Sequence, residues 1–141
     1  VDNEEEGLSL NMWLDENTKV IIQGISRPVA QYHAKQMLAQ GTQIVGGVSP
    51  RSGGTQILGI PVFDNMFEAV RVTHANTSII FMPHYVVADA ILEAADAGIK
   101  TIVCITENVP IMDMVRVQPV LERKKVRLIG PNFTKIIRPE G

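Results

Sequence analysis

The residues best placed to do chemistry follow a short apolar run that stops on a glycine: Lys19-Val-Ile-Ile-Gln-Gly24, then Ile25-Ser26-Arg27-Pro28. A strand that ends on glycine and leads into a Ser/Pro helix start is how many parallel sheets open the turn that holds a phosphate-bearing cofactor. Backbone N–H groups at such a helix start favour an anion, because the positive end of the aligned peptide dipoles lies behind them. Only one of the usual glycines stands in this turn, so the pattern alone fits equally a glycine that merely lets the chain turn. His33, His74, His84 and Cys104 show no metal-ligand spacing, and no serine, histidine and acid form a nucleophile motif. The chain therefore carries no catalytic residue and no metal ligand that its sequence reveals. Cys104, the only cysteine, sits in the apolar run Thr101-Ile-Val-Cys-Ile105 and reads as a buried, inert thiol. A lone cysteine excludes a disulfide framework and fits a reducing compartment.

These residues must be held by ordinary globular architecture. At 141 residues, 45% apolar and 20% charged, the chain has the size and composition of one domain with a real core. A formal charge of −2 argues against nucleic acid as a partner, since phosphate-backbone binding needs a basic surface. The basic cluster Arg123, Lys124, Lys125 and Arg127 reads as a charged helix end. No run approaches the roughly 18 apolar residues of a membrane span. Val1 in place of an initiator Met reads as processing, trimming or a fragment, and a removed targeting peptide stays open.

Residues 1–11, with Asp2, Glu4, Glu5 and Glu6, read as an acidic leader, and residues 12–141 as the folded domain. Strands are expected at 20–22, 43–48, 78–82, 100–105 and 126–129. Helices are expected at 29–40, from Asp64 through 72, at 84–97 and at 112–123, the last interrupted or bent near Pro119. Ser26 is the expected N-cap of the first helix, with Pro28 in its first turn and Gly41 as its stop. Short apolar strands that alternate with helices require crossovers and a sheet covered on both faces. Right-handed crossovers give an α/β fold with a doubly wound, mostly parallel, five-stranded Rossmann-like sheet, in the order 3-2-1-4-5.

Ligands in such sheets collect at the carboxyl ends of the strands, where the strand order reverses. The expected crevice lies between the strand ending at Gly24 and the one ending at Ile105, with Ser26 and Arg27 facing Thr106, Glu107 and Asn108. Pro83 and Gly130-Pro131-Asn132 lie on the same rim. The ligand predicted from this placement is phosphate- or nucleotide-shaped. His33 reads as structural and His74 as solvated, while His84, at the rim, either touches the ligand or does not.

Taken in order, several segments carry a family resemblance: Asp15-Glu-Asn-Thr-Lys-Val-Ile-Ile-Gln-Gly24, Gly46-Gly-Val-Ser-Pro50, Gly53-Gly54-Thr55, Leu58-Gly-Ile-Pro-Val-Phe63, Ile91-Leu-Glu-Ala-Ala-Asp-Ala-Gly98, Ile105-Thr106-Glu107 and Gly130-Pro131-Asn132. Over roughly residues 14 to 140 the chain resembles the amino-terminal CoA-binding domain of the succinate–CoA ligase alpha subunit. The resemblance implies coenzyme A as the cofactor and a protein partner, either a ligase beta-type subunit or a larger complex. It implies Gly24, Ser26, Arg27, Pro28, Ser52, Pro83, Ile105, Thr106, Glu107 and Asn132 as the cofactor-binding positions. In that family a phosphorylated histidine carries phosphate from a second domain, which lies beyond residue 141, so no activity is expected of this chain alone.

The departures from the family pattern fall mainly on the expected ligand rim. Arg27 and Ala30 stand where the family's Gly-x-Thr-Gly-x-x-Gly turn has its next two glycines, and Ser26 replaces its threonine. Ser52, beside Arg51, replaces a lysine used on CoA phosphate, and Asn108 replaces a glycine. Met82-Pro83-His84-Tyr85-Val86 and Phe133-Thr134-Lys135 differ as well. Replacing such glycines costs most where φ must be positive or a diphosphate must touch the backbone, so CoA binding is expected to be weakened. Arg27 either reaches a phosphate as a charged fork or fills the pocket. Glu107 either hydrogen-bonds the cofactor or caps the helix that follows. The alternative function is a non-catalytic structural subunit of a larger, mitochondrial assembly, derived from that alpha subunit with impaired CoA binding. A mitochondrial matrix or a cytoplasm is the expected location.

Overall fold

The computed structural model describes residues 14–130. Its elements run β1 (Lys19–Gln23), α1 (Pro28–Ala39), β2 (Gln43–Val48), β3 (Gln56–Ile57), β4 (Ile60–Phe63), α2 (Met66–Thr73) and β5 (Thr77–Ile80). They continue with a 3₁₀ turn (His84–Val86), α3 (Val87–Asp96), β6 (Thr101–Cys104), α4 (Ile111–Lys124) and β7 (Arg127–Ile129). The expected leader and Asn132 lie outside the described residues.

The expected fold class is present: a doubly wound α/β domain whose sheet is parallel except for one hairpin. Among the described residues the sheet has seven strands rather than five, in the order β3-β4-β2-β1-β5-β6-β7. The strands not foreseen are β3 and β4. Pro61 argues against a strand because it cannot donate to a ladder. It is tolerated here because β4 is short and holds β2 through the pairs Gly47–Val62 and Val48–Phe63. β4 takes the place beside β2 that the expected order gives to the strand at 78–82, and that strand, β5, pairs directly with β1. The reversal point therefore lies between β1 and β5, with β6 one strand further out.

β1 is the spine of the core. Val20, Ile21 and Ile22 have no exposed surface, and alternation sends Ile21 to one face and Val20 and Ile22 to the other. Ile21 packs with Met66 and Ala69 of α2, Ile91 of α3 and Leu121 of α4. Val20 and Ile22 pack with Ala30, Ala34 and Met37 of α1. Each large aliphatic buried in this way contributes roughly 1.5–3 kcal/mol. A register slip of one residue would exchange the two faces, so the pairing is strongly specified.

Three local readings change. α2 is capped by Asn65, whose Oδ1 accepts the Glu68 N–H at 2.9 Å, rather than by Asp64. The helix expected to start at His84 begins as the 3₁₀ turn and becomes α-helical only at Val87. α4 runs uninterrupted through Pro119 from Ile111 to Lys124, with Pro119 on the exposed side.

One buried polar relay fixes the end of β1. Ser78 Oγ donates to Gln23 Oε1 at 2.5 Å, and Gln23 Nε2 donates to the Ala90 carbonyl at 3.1 Å. Gln23 is 3% exposed and Ser78 is fully buried, so neither can turn to water if its partner is lost. Replacing Ser78 with Ala is expected to destabilise the fold by about 1–3 kcal/mol, read as a lower urea midpoint with an unchanged slope. A midpoint within error of the native value would show that the relay contributes nothing.

Candidate functional site

The site is built on the turn from β1 into α1. Gly24 has φ +92°, and its N–H donates to the Val48 carbonyl at 3.0 Å. A Cβ added there would lie 3.1 Å from Met82 Sδ and 3.4 Å from the Phe81 carbonyl group. Glycine is therefore required twice, for the left-handed backbone and for the approach of the β5 exit. Gly47 in β2 supports the same turn from below: a Cβ there would stand 2.7 Å from Ile25, whose side chain is fully buried under the loop.

Ser26 does not cap α1. The N-cap residue is Arg27, with Pro28 opening the helix, no side chain bonded to the first-turn N–H groups and no acid in the first turn. Ser26 instead pairs its hydroxyl with that of Ser49 at 3.0 Å, which ties the α1 start to the exit of β2. Arg27 turns the other way, and its Nη1 donates to the Phe81 carbonyl just past β5. On the next strand Thr106 Oγ1 donates to the Met82 carbonyl. These clasps join the exits of β2, β1, β5 and β6 in series along the carboxyl edge.

The structure thus brings Gly24, Ser26, Arg27, Pro28, Pro83, Ile105 and Thr106 to one rim. Pro83 opens the 3₁₀ turn and accepts the Val86 N–H at 3.0 Å. Ile105 is half-buried, packs toward the α1 side and donates its N–H to the Ile80 carbonyl at 3.2 Å. Glu107 is exposed and does not cap α4, which starts at Ile111 behind Pro110 with no side-chain cap. Asn108, standing for a glycine, keeps a positive φ of 65°, a conformation asparagine tolerates better than most residues. Ser52 lies on the opposite flank, where its carbonyl accepts Thr55 Oγ1 at 2.6 Å and its N–H donates to Ser49 at 3.0 Å. Beside it an open cavity of about 440 Å³ is lined by Gly53, Gly54, Thr55, Asp64 and Glu68, among others. Asp64 Oδ1 accepts the Gly53 N–H there at 2.8 Å.

Sequence reasoning missed Ser49 and the carbonyls of Phe81 and Met82. Main-chain acceptors leave no signature in residue type, whereas Ser49, between the end of β2 and Pro50, could have been suspected as a turn residue.

The histidines are structural or exposed. His33 is buried and stacks on Phe81 at 5.4 Å between ring centres, His74 closes α2 in the left-handed region, and His84 is exposed with its ring edge-on to Tyr85. Among the described residues no group of histidines, cysteines and acids could hold a metal ion.

The family of the CoA binding domain matches residues 15–108, which runs from ahead of β1 to the β6 exit and takes in the rim positions from Gly24 to Asn108. The chain belongs to the CoA-binding domain family. It is 46% identical over 128 residues to a succinate–CoA ligase [ADP-forming] subunit alpha of Staphylococcus epidermidis, covering 91% of this chain and 42% of that protein. It is 50% identical over 126 residues to a subunit alpha 2 of the same ligase from Archaeoglobus fulgidus, covering 89% and 44%. The chain thus spans less than half the length of these relatives. Among solved structures it resembles an apo scyllo-inositol dehydrogenase from Lactobacillus casei, with a TM-score of 0.67 and 16% identity over 84% of this chain and 37% of that one. It also resembles a dihydrodipicolinate reductase from Paenisporosarcina sp. TG-14, with a TM-score of 0.65 and 12% identity over 80% and 46%. Those two likenesses concern the fold alone.

Cys104 is a free, buried thiol at the end of β6, as expected. Burial pushes its pKa up from 9.0 to about 11, against a smaller lowering by the Thr106 backbone. The folded state therefore disfavours the thiolate. The stability tied to the neutral thiol is complete below about pH 9 and is lost as pH rises through about 11, by up to about 3 kcal/mol. Urea melts between pH 8 and 11 are expected to fall more steeply for the native protein than for Cys104→Ser. Parallel curves would contradict the burial of the thiol.

Proposed function

We propose that this chain is the CoA-binding part of a succinate–CoA ligase alpha-type subunit, and that it binds coenzyme A along the carboxyl edge of the sheet. The observation that carries this reading is the uncapped start of α1 directly after Gly24, at the point where strand order reverses. A diphosphate set there would meet first-turn N–H groups and the positive end of the helix, with no first-turn acid to repel it. Gly24, Ser26, Arg27, Pro28, Pro83, Ile105, Thr106 and Glu107 are the residues proposed to line the ligand, with Ser52 on the β2 flank. Asn132 is proposed from its place in the sequence. CoA supplies the thiol that a ligase of this name would charge, while this chain binds and orients it.

Binding is proposed to be weaker than a turn with all its glycines would give. Arg27 puts a long side chain where the backbone would otherwise be bare, whereas the Cβ of Ala30 is fully buried in the core between α1 and the sheet. The rest of such a subunit is proposed because the chain covers less than half of its relatives, and a protein partner, a beta-type chain or a larger complex, because those relatives are named as subunits. The alternative role, a structural subunit derived from that alpha subunit with impaired CoA binding, draws no support from these comparisons. A reducing compartment, cytoplasm or mitochondrial matrix, suits the free thiol of Cys104.

Calorimetric titration with CoA is expected to give saturable one-to-one binding in the micromolar range. No heat and no protection of the fold up to millimolar CoA would overturn the reading.

A further inference from the structure

We propose that Arg27 is a latch on this same edge: its guanidinium, bonded to the Phe81 carbonyl, holds the α1 start against the β5 exit and must let go before a diphosphate can lie on the turn. The inference rests on the CoA reading and adds to it the residue that sets ligand access.

The geometry is specific. Arg27 is the N-cap of α1, so its side chain departs from the place where the first-turn N–H groups are presented. It crosses the reversal point between β1 and β5 and ends on the carbonyl of Phe81, one residue past the last residue of β5. Phe81 is 2% exposed, its N–H donates to the Gln23 carbonyl at 2.9 Å, and its ring stacks on His33 of α1. The latch therefore closes on a rigid keeper. A guanidinium at a helix N-terminus also opposes the dipole there, and the outward reach to a carbonyl relieves that opposition.

Two terms decide the sign. Opening the latch breaks a charge-assisted bond and takes from the carbonyl of a buried residue a donor that water replaces poorly, which costs roughly tenfold or more in an equilibrium constant. A freed guanidinium that met a phosphate at this exposed rim would return only about a few-fold, because water and salt screen such pairs. The latch thus lowers affinity on balance. Its release also loosens the β5 exit, which is then held by the Phe81–Gln23 main-chain bond on the β1 side and the Thr106–Met82 clasp on the far side.

Two variants separate the possibilities. Arg27→Ala removes both reach and donor, whereas Arg27→Met keeps much of the reach without a donor. Calorimetric titration with CoA is expected to show about tenfold tighter binding for both. Amide hydrogen exchange of the ligand-free variants is expected to quicken at Phe81 and Met82, with little change at the opposite edge near Asn76 and Lys100. Unchanged or weaker CoA binding in both variants would overturn the latch, the latter by making Arg27 a phosphate partner. Tightening in Arg27→Ala alone would reduce Arg27 to a filler of space and overturn it too. If neither native protein nor variants bind CoA, the functional reading fails. The latch then fails as a control of access, and the exchange data judge what is left of it: faster exchange at Phe81 and Met82 keeps Arg27 as a clasp on the β5 exit, and unaltered exchange ends that too.

Discussion

The approach of two strand exits at Gly24 is the constraint on which the rest of the edge depends. β1 must leave the sheet within reach of Phe81 and Met82, and only a residue without a Cβ at φ +92° makes that bend. Once it is made, Ile25 drops into the core over Gly47, Ser26 meets Ser49, and Arg27 meets Phe81. Behind the turn, the Ser78–Gln23–Ala90 relay keeps the last residue of β1 from rotating. The loop is thus fixed from beneath by packing and from the sides by polar clasps. Its own helix start is left with no capping side chain, and that is where a ligand's charge can be received.

The electrostatics of the edge are uneven. The α1 start combines a helix N-terminus with Arg27, and its first turn has no acid. Toward β4 the sign changes, as Asp64 and Glu68 line the open cavity beside Gly53 and Gly54. An extended ligand with a phosphate at one end and neutral or hydrogen-bonding groups at the other suits this gradient better than a uniformly anionic one. Polarity along the edge, more than any single residue, therefore sets the direction in which a ligand would lie.

Much of this was legible in the sequence. Strands with three or more apolar residues, each followed by a helix, left few topologies open, and Gly24 announced the first turn. What failed did so for identifiable reasons. Pro61 hid β4, and with β4 unseen the strand at 78–82 was placed beside β2 instead of β1. Ser26 looked like an N-cap because serine commonly is one, but tertiary contact with Ser49 won over local capping. The roles of Phe81 and Met82 were invisible, since they act through carbonyls that every residue possesses.

Mapping CoA onto the backbone amides by heteronuclear NMR tests the central claim most directly. The account expects the largest shifts at Gly24–Ala30 and at the exits of β5 and β6, smaller ones around Ser49–Gly54, and none at Thr42, Asn76 or Lys100 on the opposite edge. Shifts concentrated on that opposite edge, or scattered without a focus at the β1–α1 turn, would contradict it.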